Sequence, residues 1–155
     1  AQPSTQPSTQ PSSQPTFQFP PPELLLAQFD DMGGSILVTF DSKSDRGGFG
    51  TASFSCSLLL TFSGSDYCTC YFRSPSEVSV FLTQSVDIPL LYVGDIVTLV
   101  EGVVKAACAS IPAEDCLSYA YNEETSIQTL APLNPPLPVV LVVVPSRVAS
   151  CVDVE

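Results

Sequence analysis

Turn-forming residues punctuate this chain at intervals of roughly ten residues, which is the spacing of short strands in an all-β domain. Asp30-Asp31-Met32-Gly33-Gly34, Ser63-Gly64-Ser65-Asp66 and Tyr92-Val93-Gly94-Asp95 are such turns. Asp41 to Gly50, with Gly47, Gly48 and Gly50, is a longer loop. No segment between them shows helical periodicity. What lies between is strand-like: Leu24–Phe29 and Ser35–Phe40 form an expected hairpin. Ser53–Cys56 and Leu58–Phe62 read as a strand with a bend. Cys68–Phe72, Glu77–Leu82 and Ile96–Val100 follow, and Gly102–Cys108 is expected to finish that sheet. In Glu77–Leu82 the apolar Val78, Val80 and Leu82 alternate with Ser79 and Phe81, as a half-buried strand requires. Residues 109–134 read as irregular, with a brief helix near Pro112–Tyr119. The expected fold is an all-β sandwich of seven or eight strands.

A different physical regime precedes it. Residues 1–16 repeat Gln-Pro-Ser-Thr with Pro at every fourth position. Each Pro fixes its own φ and pushes the preceding residue toward extended backbone, so polyproline II is the expected local state. Such a segment has almost nothing to bury. Three parts follow: a stalk (1–19), a β-domain (20–134) and a C-terminal segment (135–155). The last contains Val139–Val144, a run with no polar face. A strand of that kind needs cover on both sides. It is either a buried strand of its own domain or a strand lent to a neighbouring subunit, with the N-terminal Phe17–Leu26 as the other segment to lend.

Charge and composition narrow the function. Sixteen Asp and Glu stand against five Lys and Arg, a formal net charge of −11, which repels phosphate backbones and anionic membrane surfaces. No nucleic acid and no membrane insertion are expected, since no apolar run approaches the ~20 residues of a span. His and Trp are both absent. Without imidazole there is no standard triad, and a Cys nucleophile lacks its usual base. No Ser stands in a Gly-x-Ser-x-Gly frame, and Gly47-Gly48-Phe49-Gly50 is not followed by the Lys and Ser/Thr of a phosphate loop. The chain is therefore expected not to be an enzyme and to need no cofactor. Asp30, Asp31, Asp41 and Asp45 are the carboxylates placed to offer loop oxygens to Ca²⁺, although Asp is at home in ordinary turns. Tyr67, Tyr71, Tyr92, Tyr119 and Tyr121 are the aromatic residues from which a binding groove could be built.

Six cysteines occur: Cys56, Cys68, Cys70, Cys108, Cys116 and Cys151. An even number among Ser/Thr-rich strands points to disulfides and an oxidising, extracellular setting. Zinc is disfavoured, because Cys68 and Cys70 are separated by one residue where zinc knuckles use two to four. Spacing alone leaves all fifteen connectivities open. No Asn-x-Ser/Thr sequon exists, so the glycosylation expected is O-linked and on the stalk, at Ser4, Thr5, Ser8, Thr9, Ser12, Ser13 and Thr16.

The succession Ala27-Gln28-Phe29, Gly34 to Asp41, Phe54 to Leu59, Cys70 to Val78, Gly94 to Leu99 and Ala106-Ala107-Cys108 resembles the receptor-for-egg-jelly module of polycystin-related and many algal or protist surface proteins. Pro138-Val139, Pro145-Ser146 and Cys151 are similar to the start of the region after it. Phe72 stands where that family usually has Trp, and Cys68 has no counterpart there. The resemblance implies an Ig-like extracellular module for adhesion or assembly, with no catalytic residues to carry over. The repeat is similar to the stalks of algal surface proteins and to hydroxyproline-rich wall glycoproteins. That likeness implies hydroxylated, sugar-bearing Pro3, Pro7, Pro11 and Pro15. The expected bridges are Cys56–Cys70 and Cys108–Cys116, leaving Cys68 and Cys151 to pair within the chain or with a neighbour. The expected function is a structural subunit of an extracellular glycosylated fibril or surface appendage, joined to copies of itself head to tail. The alternative is an adhesin or receptor ectodomain module that binds a protein or a carbohydrate.

Overall fold

The computed structural model describes residues 19–83, 91–108 and 113–137, without the side chains of 113–115. The described chain is all-β, with short 3-10 turns and no α-helix. Its strands are β1 (Leu24–Phe29), β2 (Ser35–Phe40), β3 (Phe54–Ser55), β4 (Leu60–Thr61), β5 (Thr69–Ser74), β6 (Glu77–Phe81), β7 (Ile96–Leu99) and β8 (Thr125–Leu130). They form one sheet in the order β3-β5-β6-β2-β1-β8-β7-β4. All neighbours are antiparallel except β1 and β8, which run parallel with Ala27 beside Thr129 and Gln28 beside Leu130.

The expected hairpin forms with the expected limits, Leu24–Phe29 and Ser35–Phe40. Asp30 shapes its turn: one carboxylate oxygen accepts from the Ser35 backbone N–H at 3.1 Å and the other from the Ser35 hydroxyl at 3.0 Å. Gly33 supplies the positive φ of 70°. In β2, buried Ile36, Val38 and Phe40 alternate with half-buried Ser35, Leu37 and Thr39. This is the period-2 signature of a strand with one face on the core.

The connection between β3 and β4 decides the overall shape. These strands are the two edges of the sheet, yet only Cys56 to Leu59 separate them in sequence. Eight strands laid flat at about 4.8 Å spacing would hold their edges roughly 34 Å apart. The chain from Ser55 to Leu60 reaches about 17 Å at most. The sheet must therefore curl until its edges approach, and the 3-10 turn Cys56–Leu58 joins them. Curling turns the inner faces toward one core, where Ile36, Val38, Leu59, Leu60, Val78, Val80, Val97 and Leu99 are buried. A line of rings crosses it: Phe40 lies 6.4 Å from Phe72, Phe72 lies 6.0 Å from Phe54, and Phe54 stacks on Phe49 at 3.9 Å.

Three expectations change. Residues 109–134 are not wholly irregular, because Thr125–Leu130 is a sheet strand. Two of its three inward positions are Thr, which blurred the apolar alternation. The brief helix near Pro112–Tyr119 is a 3-10 turn, Ala113–Ser118. Gly102–Cys108 does not finish a sheet; among the described residues it makes only the isolated bridges Ser44–Ala106 and Lys105–Tyr121. The bend expected between Ser53 and Phe62 is the edge-joining turn itself. Of the segments proposed for lending, Leu24–Leu26 pairs inside its own sheet and Pro22 is buried. Val139–Val144 lies outside the described residues, as does the stalk to residue 18.

Candidate functional site

Two disulfides hold the described chain, as expected. Cys56–Cys70 has its Cα atoms 4.9 Å apart, and Cys108–Cys116 has them 5.4 Å apart. Each closes a weak point. The first ties the edge-joining turn to β5. The second ties Cys108 to the 3-10 turn Ala113–Ser118 through Cys116. Cys68 is buried and has no disulfide partner among the described residues; Cys151 lies outside them. Every residue proposed for glycosylation, Pro3 to Thr16, also lies outside them.

Phe19, which follows the Gln-Pro-Ser-Thr repeat, has its ring 5.9 Å from that of buried Tyr119. Phe19 also lines a groove of about 500 Å³, with Pro20, Ser42, Lys43, Ala106, Ala107 and Cys108. Its walls are tied together by backbone bonds: Ala107 N–H donates to Lys43 C=O at 2.8 Å, and Asp45 N–H to Lys105 C=O at 2.9 Å. Pro21, Pro22, Glu23, Ala120, Tyr121, Glu123 and Thr125 line a second hollow of about 290 Å³. Lys105 reaches across this end, its ammonium 4.2 Å from the Tyr121 ring centroid and 3.1 Å from the Leu117 carbonyl oxygen. The groove walls are mostly apolar, with Lys43 as their one cation. They offer shape and apolar contact, together with the Ser42 hydroxyl and the Lys43 ammonium.

The loop carboxylates are not gathered. Among the described residues no group of three or more His, Cys, Asp or Glu is placed to hold a metal ion. Each Asp proposed for Ca²⁺ accepts bonds from its own surroundings instead. Asp41 accepts from Glu23 N–H at 2.9 Å, and Asp31 from Asn134 N–H at 3.0 Å. Asp45 accepts from Gly47 N–H at 2.9 Å and from Lys105 N–H at 3.0 Å. The tyrosines are dispersed too. Tyr71 stacks on Phe81 at 5.6 Å on the outer sheet face, Tyr119 packs on Phe19, and Tyr67 and Tyr92 are exposed. Only Tyr121 lines either hollow at the stalk root.

Sequence reasoning missed Asn122, which is 2% exposed. Its side-chain oxygen accepts from Val103 N–H at 3.0 Å and Val104 N–H at 2.9 Å. Its amide donates to Val100 C=O at 2.7 Å and Glu123 C=O at 3.0 Å. One side chain thus serves four backbone groups of the loop after β7. No local pattern marks it, because three of its partners lie about twenty residues back in the chain. No protein-family model matches the chain, and neither does any curated protein or solved structure.

Proposed function

We propose that this chain is a structural subunit of an extracellular glycosylated fibril or surface appendage: an Ig-like β-module on a glycosylated polyproline II stalk. The observation that carries the reading is where the chain's chemistry is spent. Both described bridges, the loop carboxylates and the buried Asn122 hold the chain to itself. Bridges of this kind persist in oxidising compartments, which favours an extracellular location. Among the described residues no helix is long and apolar enough to cross a membrane. A covalently braced head on a repetitive, uncharged stalk suits load-bearing assembly. Copies joined head to tail propagate into a polymer when the rotation between them does not close. The apolar groove at the stalk root favours a second reading, an adhesin module that takes a protein or sugar there.

Negative-stain imaging of native material separates the two: filaments support the structural subunit, and isolated particles support the adhesin. Intact-mass measurement against the 16.5 kDa polypeptide tests the stalk. Sugar mass confined to peptide 1–16 is expected, and a bare peptide 1–16 would sink the glycosylated stalk.

A further inference from the structure

We infer that the Cys56–Cys70 bridge is exchangeable, and that Cys68 is the resident thiol that opens it. The register of the sheet places three cysteines together. β3 pairs with β5 so that Phe54 faces Cys70 and Ser55 faces Thr69. The ladder stops there, where the 3-10 turn Cys56–Leu58 begins, but Cys56 N–H still donates to Cys68 C=O at 3.0 Å, which keeps the two residues adjacent. Cys68 is extended, with φ −101° and ψ 151°. It stands just before β5 and two residues from Cys70 in extended backbone, so both side chains point to one face, and both are buried, Cys68 at 7% exposure and Cys70 at 0%.

Cys56 is therefore in reach of two partners. Its Cα lies 4.9 Å from that of Cys70. Its backbone bond to Cys68 keeps that residue adjacent as well, and disulfides accept Cα separations of about 4.4–6.8 Å. The two loops that Cys56 can close differ by only two residues, so chain entropy hardly separates them.

The reaction balances without an oxidant. The Cys68 thiol gives its proton to water, and the thiolate attacks the Cys56 sulfur. The Cys56–Cys70 bond breaks as the Cys56–Cys68 bond forms. Cys70 leaves as a thiolate and takes up a proton. One disulfide and one thiol are present before and after. The site of exchange is the turn that joins the two sheet edges, so the closure has two covalent settings, about 7 Å apart along β5.

Differential alkylation tests this on the full chain. The protein is held in mildly alkaline buffer, which speeds thiol–disulfide exchange, and samples are quenched and alkylated in acid denaturant. The bridges are then reduced and labelled with a second reagent. Cleavage at arginine releases peptide 47–73, which carries all three cysteines, and tandem mass spectrometry locates the first label. The expected result is first label on Cys70 as well as Cys68, rising with time to at least about a tenth of the molecules. That fraction allows the fold a tenfold preference for one pairing. Cys68→Ser should abolish label on Cys70. Three results overturn the inference: label confined to Cys68 at all times, Cys68 blocked by a bridge to Cys151, or Cys70 labelled equally in Cys68→Ser.

Discussion

The two halves of the curled sheet are held by different means. In the half formed by β5, β6, β2 and β1, the ladders run the length of the strands and the inward residues alternate cleanly. In the half containing the closure, β7–β8 pairs four positions, but the ladders β1–β8, β3–β5 and β4–β7 each hold only two. There the Cys56–Cys70 bridge, Asn122 and Asp45 take over. A curled sheet is thus built as an apolar sheet with a clasp. The sheet half gains from area removed from water, and the clasp half from bonds that single side chains make to distant backbone.

The largest effect that separates the halves should come from Phe72→Ala. Phe72 is 2% exposed and sits between Phe40 and Phe54, so truncation leaves a cavity that neighbouring strands cannot fill. The expected loss is about 3–5 kcal/mol, read as a lower urea midpoint. Next comes Asn122→Ala, at about 2–4 kcal/mol, because Val103 N–H, Val104 N–H and Val100 C=O lose the partner their bonds are made to. If Asn122→Ala cost less than 1 kcal/mol, water would be replacing the side chain and the clasp would be looser than described.

The same division explains what could be read from the chain beforehand. The hairpin Leu24–Phe40 and strand Glu77–Phe81 announce themselves by alternation and by Asp-Asp-x-Gly-Gly, all local signals. The bridges Cys56–Cys70 and Cys108–Cys116 also match expectation. Curling escaped, because it depends on β3 and β4 being opposite edges, a property of sheet order and not of any segment. β8 escaped because Thr129 faces inward, its polarity satisfied by carbonyls more than thirty residues away. The groove at the stalk root joins residues 19–20, 42–43 and 106–108, and no spacing rule links those stretches.

Two intermediate effects sharpen the comparison. Replacing both Cys56 and Cys70 by Ser should cost about 2–4 kcal/mol through the entropy returned to the unfolded chain. Hydrogen exchange should rise around Cys56–Thr61 while β2 and β6 stay protected. Uniform loss of protection would mean that sheet and clasp melt as one unit. Gly47→Ala should cost about 1–3 kcal/mol. Gly47 has φ 56°, and an added Cβ would come 2.9 Å from the Val103 carbonyl oxygen, in the loop that Asn122 clamps. Gly48→Ala shares the strain of a positive φ, 77°, but meets no atom within 4 Å. It should therefore fall measurably less in thermal midpoint than Gly47→Ala.

The smallest effect is the most discriminating, because Thr129→Val removes a buried hydroxyl that looks as important as Asn122. Its Oγ donates to Tyr92 C=O at 2.7 Å and accepts from Gly94 N–H at 3.0 Å. Both backbone groups keep another partner: Gly94 N–H also bonds Thr129 C=O at 2.9 Å, and Tyr92 C=O also accepts from Asp95 N–H at 3.1 Å. Removing the hydroxyl therefore orphans neither group, whereas removing the Asn122 amide strips four groups of the bond described for each. Val also keeps the β-branched shape that suits a strand position. The expected cost is below about 1 kcal/mol, against several for Asn122→Ala, since an unsatisfied buried group is penalised far more than a lost redundant bond. Paired urea titrations of the two variants measure the gap. A Thr129→Val loss as large as that of Asn122→Ala would show that the number of bonds, and not the orphaning of backbone groups, sets the strength of the clasp.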